Sequence, residues 1–261
     1  MARAGLSRAG RAGPAVHTDL ASLAADAAER FASASEASRG PRFDVILTGG
    51  STAPAVYRLL AGEPFSPRID WERVHVWWTD ERCVPPDDPR SNYGVAREAL
   101  LDRVPIPCAQ IHRMRGEDQN PEREAVRHEA ALRTEQALAR GEPPRFDFAF
   151  LGMGADAHVA SLFPGSAALG LTDRLVAAVR KGEAAMPDPV VDRLTLTLPA
   201  LNGARAAVFV VAGEDKAVAL RAVLEEPGDA ALRPAQGIHP AGGPPAWLVD
   251  RRAASLLSGA R

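Results

Sequence analysis

Short apolar runs alternate along this chain with segments that carry apolar residues every three or four positions. The apolar runs predict β-strands at residues 43–47, 74–78, 146–150, 207–212 and 246–249. The segments with helical spacing follow several of these runs and predict amphipathic helices. This repeated order of strand and then helix is typical of the α/β class. We therefore predict a mainly parallel, doubly wound, Rossmann-like sheet with helices on both faces.

Further periodic segments extend this prediction towards both ends of the chain. Residues 17–38 have apolar positions near helical spacing and predict a first helix. Residues 121–140 predict a long charged helix with a solvated outer face, and residues 193–198 alternate as a strand does. Asp250 is a suitable cap for a last helix over residues 251–257.

Composition is that of an ordinary soluble globular protein. Of the 261 residues, 46% are hydrophobic and 25% are charged, which is enough for one large α/β domain. We predict this single domain over residues 17–261. Residues 1–16 are rich in Arg, Ala and Gly without a continuous apolar core, so they predict a disordered segment.

Charge and cysteine content exclude several classes of function. The net charge is -2 and the pI is about 6.3, so neither nucleic acid nor a membrane is the expected partner. No apolar run approaches the length of about 20 residues that spans a bilayer. Cys83 and Cys108 form no disulfide framework, which suits a reducing cytosol. We expect a cytoplasmic protein, either a monomer or a weak homodimer.

The most informative segment is the loop over residues 151–165, which follows a predicted strand. Gly152 and Gly154 end the strand, and Asp156 and His158 come directly after them. Open α/β sheets bind their ligands at this carboxyl edge. An imidazole can accept a proton from water near neutral pH, and the carboxylate could orient the ring or stabilise its cation. A lone histidine is more often structural, but the glycine turn and the acidic neighbour favour catalysis.

The same loop formally fits the dinucleotide fingerprint Gly-x-Gly-x-x-Ala. That fingerprint opens a helix that continues from its last small residue. Here Pro164 and Gly165 interrupt the segment within about two turns, so we do not predict nucleotide binding.

A second glycine turn follows the first apolar run, at residues 48–54. Gly49 and Gly50 would let an anion approach the first backbone N–H groups of the next helix, which have no internal partner. Ser51 and Thr52 can donate hydroxyl hydrogen bonds or cap that helix. The turn therefore predicts a phosphate cradle, although a simple turn and cap would have the same sequence. It lacks the lysine of a Walker A motif.

Charged residues follow two other predicted strands. Removing the charged side chains of Asp80, Glu81 and Arg82 from water costs free energy unless they are paired, solvated or bound to a ligand. Arg82 is accordingly a candidate ligand residue held by its acidic neighbours, and a surface turn is the alternative. Lys216 lies in a first helical turn, where the helix dipole disfavours a cation unless a bound phosphate compensates it. Asn92, or Ser91 before it, caps a predicted helix.

No metal site or other cofactor is predicted. His75, His112 and His128 have no close His, Cys or carboxylate partner at the spacing of zinc ligands, so they are expected to be structural or surface groups. His17 and His239 are equally unsupported as ligands.

Six motifs in order give the chain a specific resemblance. They are Thr-Gly-Gly-Ser-Thr-Ala-Pro (48–54), Asp-Glu-Arg-Cys-Val-Pro (80–85), Ser-Asn-Tyr (91–93), the loop at 151–165, Arg-Leu-Thr-Leu-Thr (193–197) and Gly-Glu-Asp-Lys (213–216). Together they resemble the 6-phosphogluconolactonase family, within a wider group of sugar-phosphate isomerase-like folds that includes glucosamine-6-phosphate deaminases. The resemblance covers about residues 43–250.

The resemblance implies hydrolysis of a phosphorylated sugar lactone, 6-phospho-D-glucono-1,5-lactone. His158 would then activate water. Asp156 and Asn92 would either orient the His158 ring or contact hydroxyl groups of the sugar. The turn at residues 49–52, with Arg82 and Lys216, would hold the phosphate, and one of these cations could stabilise the oxyanion instead. Asp80, Glu81, Gly152 and Gly154 would support the site.

Two alternatives remain beside the lactonase. Deaminases of this group tend to carry Asp-Glu-Tyr at residues 80–82 and Asn-Glu-Pro-Gly near residue 165, and neither is present. A non-enzymatic sugar-phosphate-binding regulator usually brings a DNA-binding segment, which the short first helix does not offer. The chain also departs from the usual lactonase loop, Asp-Gly-His-Thr, at Ala157 and Val159. If residue 157 needs a positive φ, alanine would strain it by about 1 kcal/mol.

Overall fold

A computed structural model describes residues 13–259, which form nine strands and six α-helices in an α/β arrangement. The strands are β1 (Ala15–His17), β2 (Phe43–Leu47), β3 (Val74–Trp78), β4 (Asp80–Arg82), β5 (Phe146–Leu151), β6 (Val176–Val179), β7 (Arg193–Leu196), β8 (Ala204–Val211) and β9 (Ala246–Asp250). The helices are α1 (Leu20–Ala37), α2 (Ala53–Leu60), α3 (Asn92–Ala99), α4 (Pro121–Glu135), α5 (Leu198–Leu201) and α6 (Ala217–Glu225). Short 3₁₀ turns connect several of them.

Six strands form the main sheet in the order β1-β9-β8-β5-β2-β3, and every neighbouring pair is parallel. Side chains alternate along each strand between two hydrophobic cores. On β2, Val45 and Leu47 pack with α1 and α2 on one face, whereas Ile46 belongs to the core on the other face, with α4 and α6. The predicted doubly wound parallel sheet is confirmed.

A second, three-stranded sheet was not predicted. It is antiparallel with the order β4-β7-β6, and only one residue, Thr79, separates the end of β3 from the start of β4. The charged residues Asp80, Glu81 and Arg82 are therefore a short strand, paired with residues 193–195 of β7, rather than a surface turn. This small sheet lies at the carboxyl edge of the main sheet because β3 leads directly into it.

The N-terminal boundary of the domain differs from the prediction. Residues 1–12 of the segment predicted to be disordered lie outside the described residues, but Ala15–His17 is a strand that pairs with β9. The first helix begins at Leu20 rather than residue 17, because the Asp19 carboxylate caps it by accepting a hydrogen bond of 2.8 Å from the Ser22 N–H.

The prediction of a solvated charged helix at residues 121–140 was also wrong in part. Helix α4 ends at Glu135, and Glu124, His128 and Leu132 are buried on its inner face. The last helix is only a 3₁₀ turn at Ala253–Leu256. Its N-cap residue is Arg252 rather than Asp250, although the Asp250 carboxylate accepts a hydrogen bond of 2.7 Å from the Ala253 N–H. Within residues 13–259, no helix is both long and apolar enough to cross a membrane.

Candidate active site

A cavity of about 360 Å³ opens at the carboxyl edge of the main sheet, beside the small sheet. Eleven of the thirteen predicted site residues line it: Gly49, Gly50, Ser51, Thr52, Asp80, Arg82, Asn92, Gly152, Gly154, His158 and Lys216. Asp156 and Glu81 are not part of this lining but contact residues that form it. The loops after β2, β3, β5 and β8 converge here, as expected for the ligand edge of an open α/β sheet.

His158 and Asp156 form a direct pair. The Nδ1 atom of His158 lies 2.5 Å from Oδ1 of Asp156, and the same oxygen accepts a hydrogen bond of 3.2 Å from the His158 backbone N–H. Burial raises the pKa of Asp156, but its hydrogen bond and charge interaction with His158 outweigh this effect and hold it below its usual value. The ionised carboxylate therefore accepts a hydrogen bond from Nδ1–H, and Nε2 is then the unprotonated nitrogen of the ring.

Gly154 makes room for this ring. A Cβ atom at residue 154 would lie 2.0 Å from His158 Nδ1 and 2.5 Å from Asp156 Oδ1. On its other side the ring packs against Phe163, with a centroid distance of 4.9 Å. The glycine and the aromatic ring together define where the imidazole lies.

Residue 157 does have a positive φ, the condition under which alanine is strained. Ala157 has φ = 67°, and its buried methyl group belongs to the core beneath the loop. Ala160, in the same loop, has φ = 54°. The backbone thus takes up two left-handed conformations that favour glycine, at a cost of roughly 1 kcal/mol or more each.

The turn at residues 49–52 leaves the start of α2 open towards the cavity. Thr52 is the N-cap residue of α2 but makes no side-chain capping hydrogen bond. Gly50 has φ = 91°, and a Cβ at residue 49 would lie 2.0 Å from Oδ1 of Asn92. Gly50 is therefore favoured by its left-handed backbone conformation, and Gly49 by the close approach of the Asn92 side chain. The uncapped N–H groups and the helix dipole give this edge a partial positive charge.

Glu81 has a structural role between β4 and α3. Its buried carboxylate accepts hydrogen bonds of 2.7–3.0 Å from the backbone N–H groups of Arg82, Asn92 and Tyr93 and from the Ser91 hydroxyl. Burial raises the pKa of this carboxyl group, and the four hydrogen bonds oppose that effect. Ser91, rather than Asn92, caps α3.

Neither predicted cation is held as the sequence suggested. The Arg82 guanidinium donates to the backbone oxygen of Arg90 at 2.7 Å instead of pairing with its acidic neighbours, and its buried Nε has no acceptor. Lys216 precedes α6, and its Nζ lies 3.0 Å from Oδ2 of the largely exposed Asp215. Asn92 donates to the Asp80 backbone oxygen at 2.8 Å.

One protein family matches most of the chain. The model of glucosamine-6-phosphate isomerases/6-phosphogluconolactonase matches residues 18–247. The chain belongs to this family. The resemblance inferred from the six sequence motifs is thereby confirmed.

Individual members of the family align over most of the chain. The 6-phosphogluconolactonase of Nostoc is 42% identical over 83% of this chain and 85% of its own length. That of Streptomyces coelicolor is 38% identical over 93% of both chains. A solved structure of 6-phosphogluconolactonase from Trypanosoma brucei superposes with a TM-score of 0.79 at 28% identity, covering 94% of this chain and 99% of the other.

One cationic residue of the site was missed by sequence reasoning. Arg193 lines the cavity of this family member from β7 and is only 4% exposed. Its Nη2 donates to the Pro189 backbone oxygen at 2.8 Å, and its Nη1 lies 4.0 Å from Oδ2 of Asp80. Arg193 is the first residue of the Arg-Leu-Thr-Leu-Thr motif, but the alternation of apolar and polar residues in that motif was used only to predict a strand. An arginine at the start of an otherwise buried strand was the available signal.

His75 and His112 have no partner at the spacing of zinc ligands in the sequence, but the fold brings the two rings together. Nδ1 of His75 lies 3.1 Å from Nε2 of His112, and their ring planes differ by 10°. With Glu135 they form a group of three possible metal ligands whose ligand atoms all lie within 4.8 Å of one another. It is the one such group of three or more His, Cys, Asp or Glu residues in residues 13–259. The geometry is that of a ring-to-ring hydrogen bond, and Arg42 lies 3.7 Å from the Glu135 carboxylate. None of these residues lines the cavity.

Proposed function

We propose that this chain is a 6-phosphogluconolactonase that hydrolyses 6-phospho-D-glucono-1,5-lactone to 6-phospho-D-gluconate, with His158 as the general base. The observation that carries the proposal is the pairing of His158 with Asp156 inside a cavity that also contains the open start of α2. The family and its named members support the reaction, and the geometry supports the roles of the residues.

His158 is the base because its ring lines the cavity of about 360 Å³ and Asp156 holds its Nδ1, which leaves Nε2 to accept a proton. Nε2 accepts a proton from water as the water oxygen attacks C1 of the lactone, and the carbonyl becomes a tetrahedral oxyanion. When the oxyanion collapses, the bond between C1 and the ring oxygen breaks, and the imidazolium returns its proton to that oxygen. Asp156 stabilises the imidazolium between these steps. The products are one carboxylic acid, which ionises, and one hydroxyl group.

The phosphate group would bind at the turn over residues 49–52. Backbone N–H groups at the start of α2 are free of side-chain caps, and Ser51 and Thr52 add hydroxyl donors. Lys216 reaches the cavity from the strand next to β5 and would supply a full positive charge. Its only described ionic partner is the largely exposed Asp215, an ion pair of low energy that a phosphate can replace.

The test is hydrolysis of freshly generated lactone by wild type and His158→Ala, after subtraction of the spontaneous rate. We expect kcat to fall by about 10²-fold or more in the variant, the usual contribution of a positioned base. His239→Ala is the matched control, because His239 is exposed and outside the cavity. Unchanged kcat in His158→Ala would reject His158 as the base. Ammonia release from glucosamine 6-phosphate, without lactone hydrolysis, would reject the lactonase in favour of a deaminase.

A further inference from the structure

A buried tyrosine holds the backbone at the end of β2, directly before the turn at residues 49–52. The Tyr57 hydroxyl accepts a hydrogen bond of 2.9 Å from the Thr48 backbone N–H and donates one of 2.6 Å to the Thr48 backbone oxygen. Tyr57 lies in the second turn of α2 and is 1% exposed, and Thr48 is buried as well. One side chain therefore ties the helix that follows the turn back to the residue that precedes it.

Thr48 depends on this hydroxyl because the sheet does not continue as far as its backbone. The last pairs of β2 are Ile46 with Ala149 of β5 and Leu47 with Trp78 of β3. In the part of the chain that the structure describes, neither the N–H nor the oxygen of Thr48 has a backbone partner. A buried backbone group without a partner costs free energy, so the hydroxyl satisfies two groups that the sheet leaves unpaired.

The hydroxyl of Tyr57 is itself held in place. Phe150 of β5 meets the Tyr57 ring edge-on at a centroid distance of 6.4 Å, and Phe31 of α1 stacks on Phe150 at 5.6 Å. Burial raises the pKa of the hydroxyl, so it keeps its proton and remains a donor near neutral pH. Both the position of the ring and the hydrogen-bonding state of the hydroxyl are thus fixed.

Tyr57 reaches the cavity only through the backbone. Thr48 and residues 49–52 line the cavity, whereas Tyr57 does not. On the opposite side of the turn, the Asn92 side chain lies so close to Gly49 that a Cβ there would be 2.0 Å from its Oδ1. The turn is therefore held between two side chains, and its N–H groups have little freedom to move.

We propose that Tyr57 is a positioning residue that fixes the turn at residues 49–52 through Thr48 and so strengthens binding of the phosphate end of the substrate. This deepens the proposed function and rests on it. Backbone N–H groups bind a phosphate well only when they point to a common place, and small displacements weaken such contacts. The phosphate takes no part in the reaction, so its contacts are equally strong in the ground state and the transition state. Tyr57 therefore affects KM rather than kcat.

The first test is Tyr57→Phe, which removes the hydroxyl and keeps the ring. KM for freshly generated 6-phospho-D-glucono-1,5-lactone should rise about tenfold, whereas kcat should change less than about threefold. The affinity for 6-phosphogluconate, measured by calorimetry, should fall by the same factor as KM rises. His158 and Asp156 hydrogen-bond to each other on the loop after β5, so the chemical step should be preserved.

Tyr93→Phe is the matched control, because Tyr93 is the other tyrosine of the chain. Its ring lies outside the cavity, near the guanidinium groups of Arg97 and Arg113. Both KM and kcat should keep their wild-type values in this variant. Circular dichroism and urea denaturation check that the two variants fold.

A measurement on the wild type decides the proposal even if Tyr57→Phe does not fold. If the hydrogen bonds between Tyr57 and Thr48 favour phosphate binding about tenfold, phosphate binding must favour these hydrogen bonds by the same factor. Exchange of the Thr48 amide hydrogen, followed by NMR, should therefore slow about tenfold when 6-phosphogluconate saturates the protein. Gluconate, which lacks the phosphate, is the control ligand and should slow the exchange less than about threefold.

An unchanged KM in Tyr57→Phe, or Thr48 exchange that 6-phosphogluconate does not slow, would overturn the role of Tyr57. A fall in kcat as large as the rise in KM would also overturn it, because Tyr57 would then support the whole site rather than the turn. Failure of the proposed function looks different. In that case wild-type protein would not hydrolyse the lactone, whereas the effect of Tyr57→Phe on binding of 6-phosphogluconate could still be measured.

Discussion

At the residue scale, the proposed chemistry depends on a single hydrogen bond between Asp156 and His158. Asp156→Asn should lower kcat about 10²-fold or more with little change in KM, because an amide can donate to Nδ1 and so place the ring proton on Nε2. The measurement is steady-state lactone hydrolysis at several pH values. Wild-type kcat in this variant would show that Asp156 does not set the tautomer of His158.

Gly154 allows a test that leaves both polar side chains in place. Gly154→Ala should lower kcat about tenfold or more, because the new Cβ would lie 2.0 Å from His158 Nδ1 and the ring must move. Gly170→Ala is the matched control, since a Cβ there meets nothing within 4 Å and its φ is not positive. Folding of both variants is checked by circular dichroism. Equal kcat in the two variants would contradict the prediction.

Sequence reasoning could group those site residues that lie close together along the chain. His158, Asp156 and Gly154 share one loop, so their proximity follows from the chain itself. Arg193 was missed because its relation to Arg82 depends on the register of β4 and β7, which are distant in sequence. Glu81 was assigned only a vague supporting role for the same reason, because its partners come from the next helix.

At the scale of elements, five of the six main-sheet strands were predictable because each contains an apolar run, whereas the three-residue β1 was not. The small sheet was not, since Asp80–Arg82 has no strand-forming residues and is extended only by pairing with β7. Helix α4 was misjudged because its charged residues are satisfied by partners from elsewhere. Its Glu129 accepts hydrogen bonds from Arg174 at 2.9 Å and from the Leu175 N–H at 3.0 Å.

Glu129 therefore links α4 to the start of β6, and its removal tests that link. Glu129→Ala should lower the free energy of unfolding by about 1–3 kcal/mol, because the buried Leu175 N–H loses its acceptor. Glu135→Ala, at the exposed end of the same helix, should cost about 1 kcal/mol or less. Urea denaturation measures both. A loss in Glu129→Ala no larger than that in Glu135→Ala would remove this link as a determinant of stability.

At the scale of the whole molecule, the position of the cavity follows from the parallel sheet. The loops that follow β2, β3, β5 and β8 leave the carboxyl ends of parallel strands, so they meet at one edge. A different set of groups surrounds Trp77 of β3 and does not line the cavity. There His112 stacks on Trp77 with a centroid distance of 4.0 Å, and buried His128 meets the same indole edge-on at 5.7 Å. These histidines contribute to stability rather than to the proposed chemistry.

Their burial makes the stability of the fold dependent on pH. Loss of hydration lowers the pKa of His112 to about 4 and that of His128 to about 3, from an ordinary value of 6.5. Below pH 6.5 the unfolded chain binds a proton at each histidine that the folded chain does not. Each residue therefore stabilises the fold fully above pH 6.5. This contribution is lost as the pH falls towards the folded-state pKa, by about 1.4 kcal/mol per pH unit.

We accordingly expect the urea midpoint of wild type to fall between pH 6.5 and pH 5, before most carboxylates titrate. His128→Phe removes one of the buried protonation sites and fills the same space beside Trp77, so the free energy of unfolding should fall less steeply in this interval. His239→Ala removes an exposed histidine and should leave the slope unchanged. If His128→Phe has the same pH slope as wild type, His128 is not a buried neutral group. The acid sensitivity would then arise from His112 or from the carboxylates.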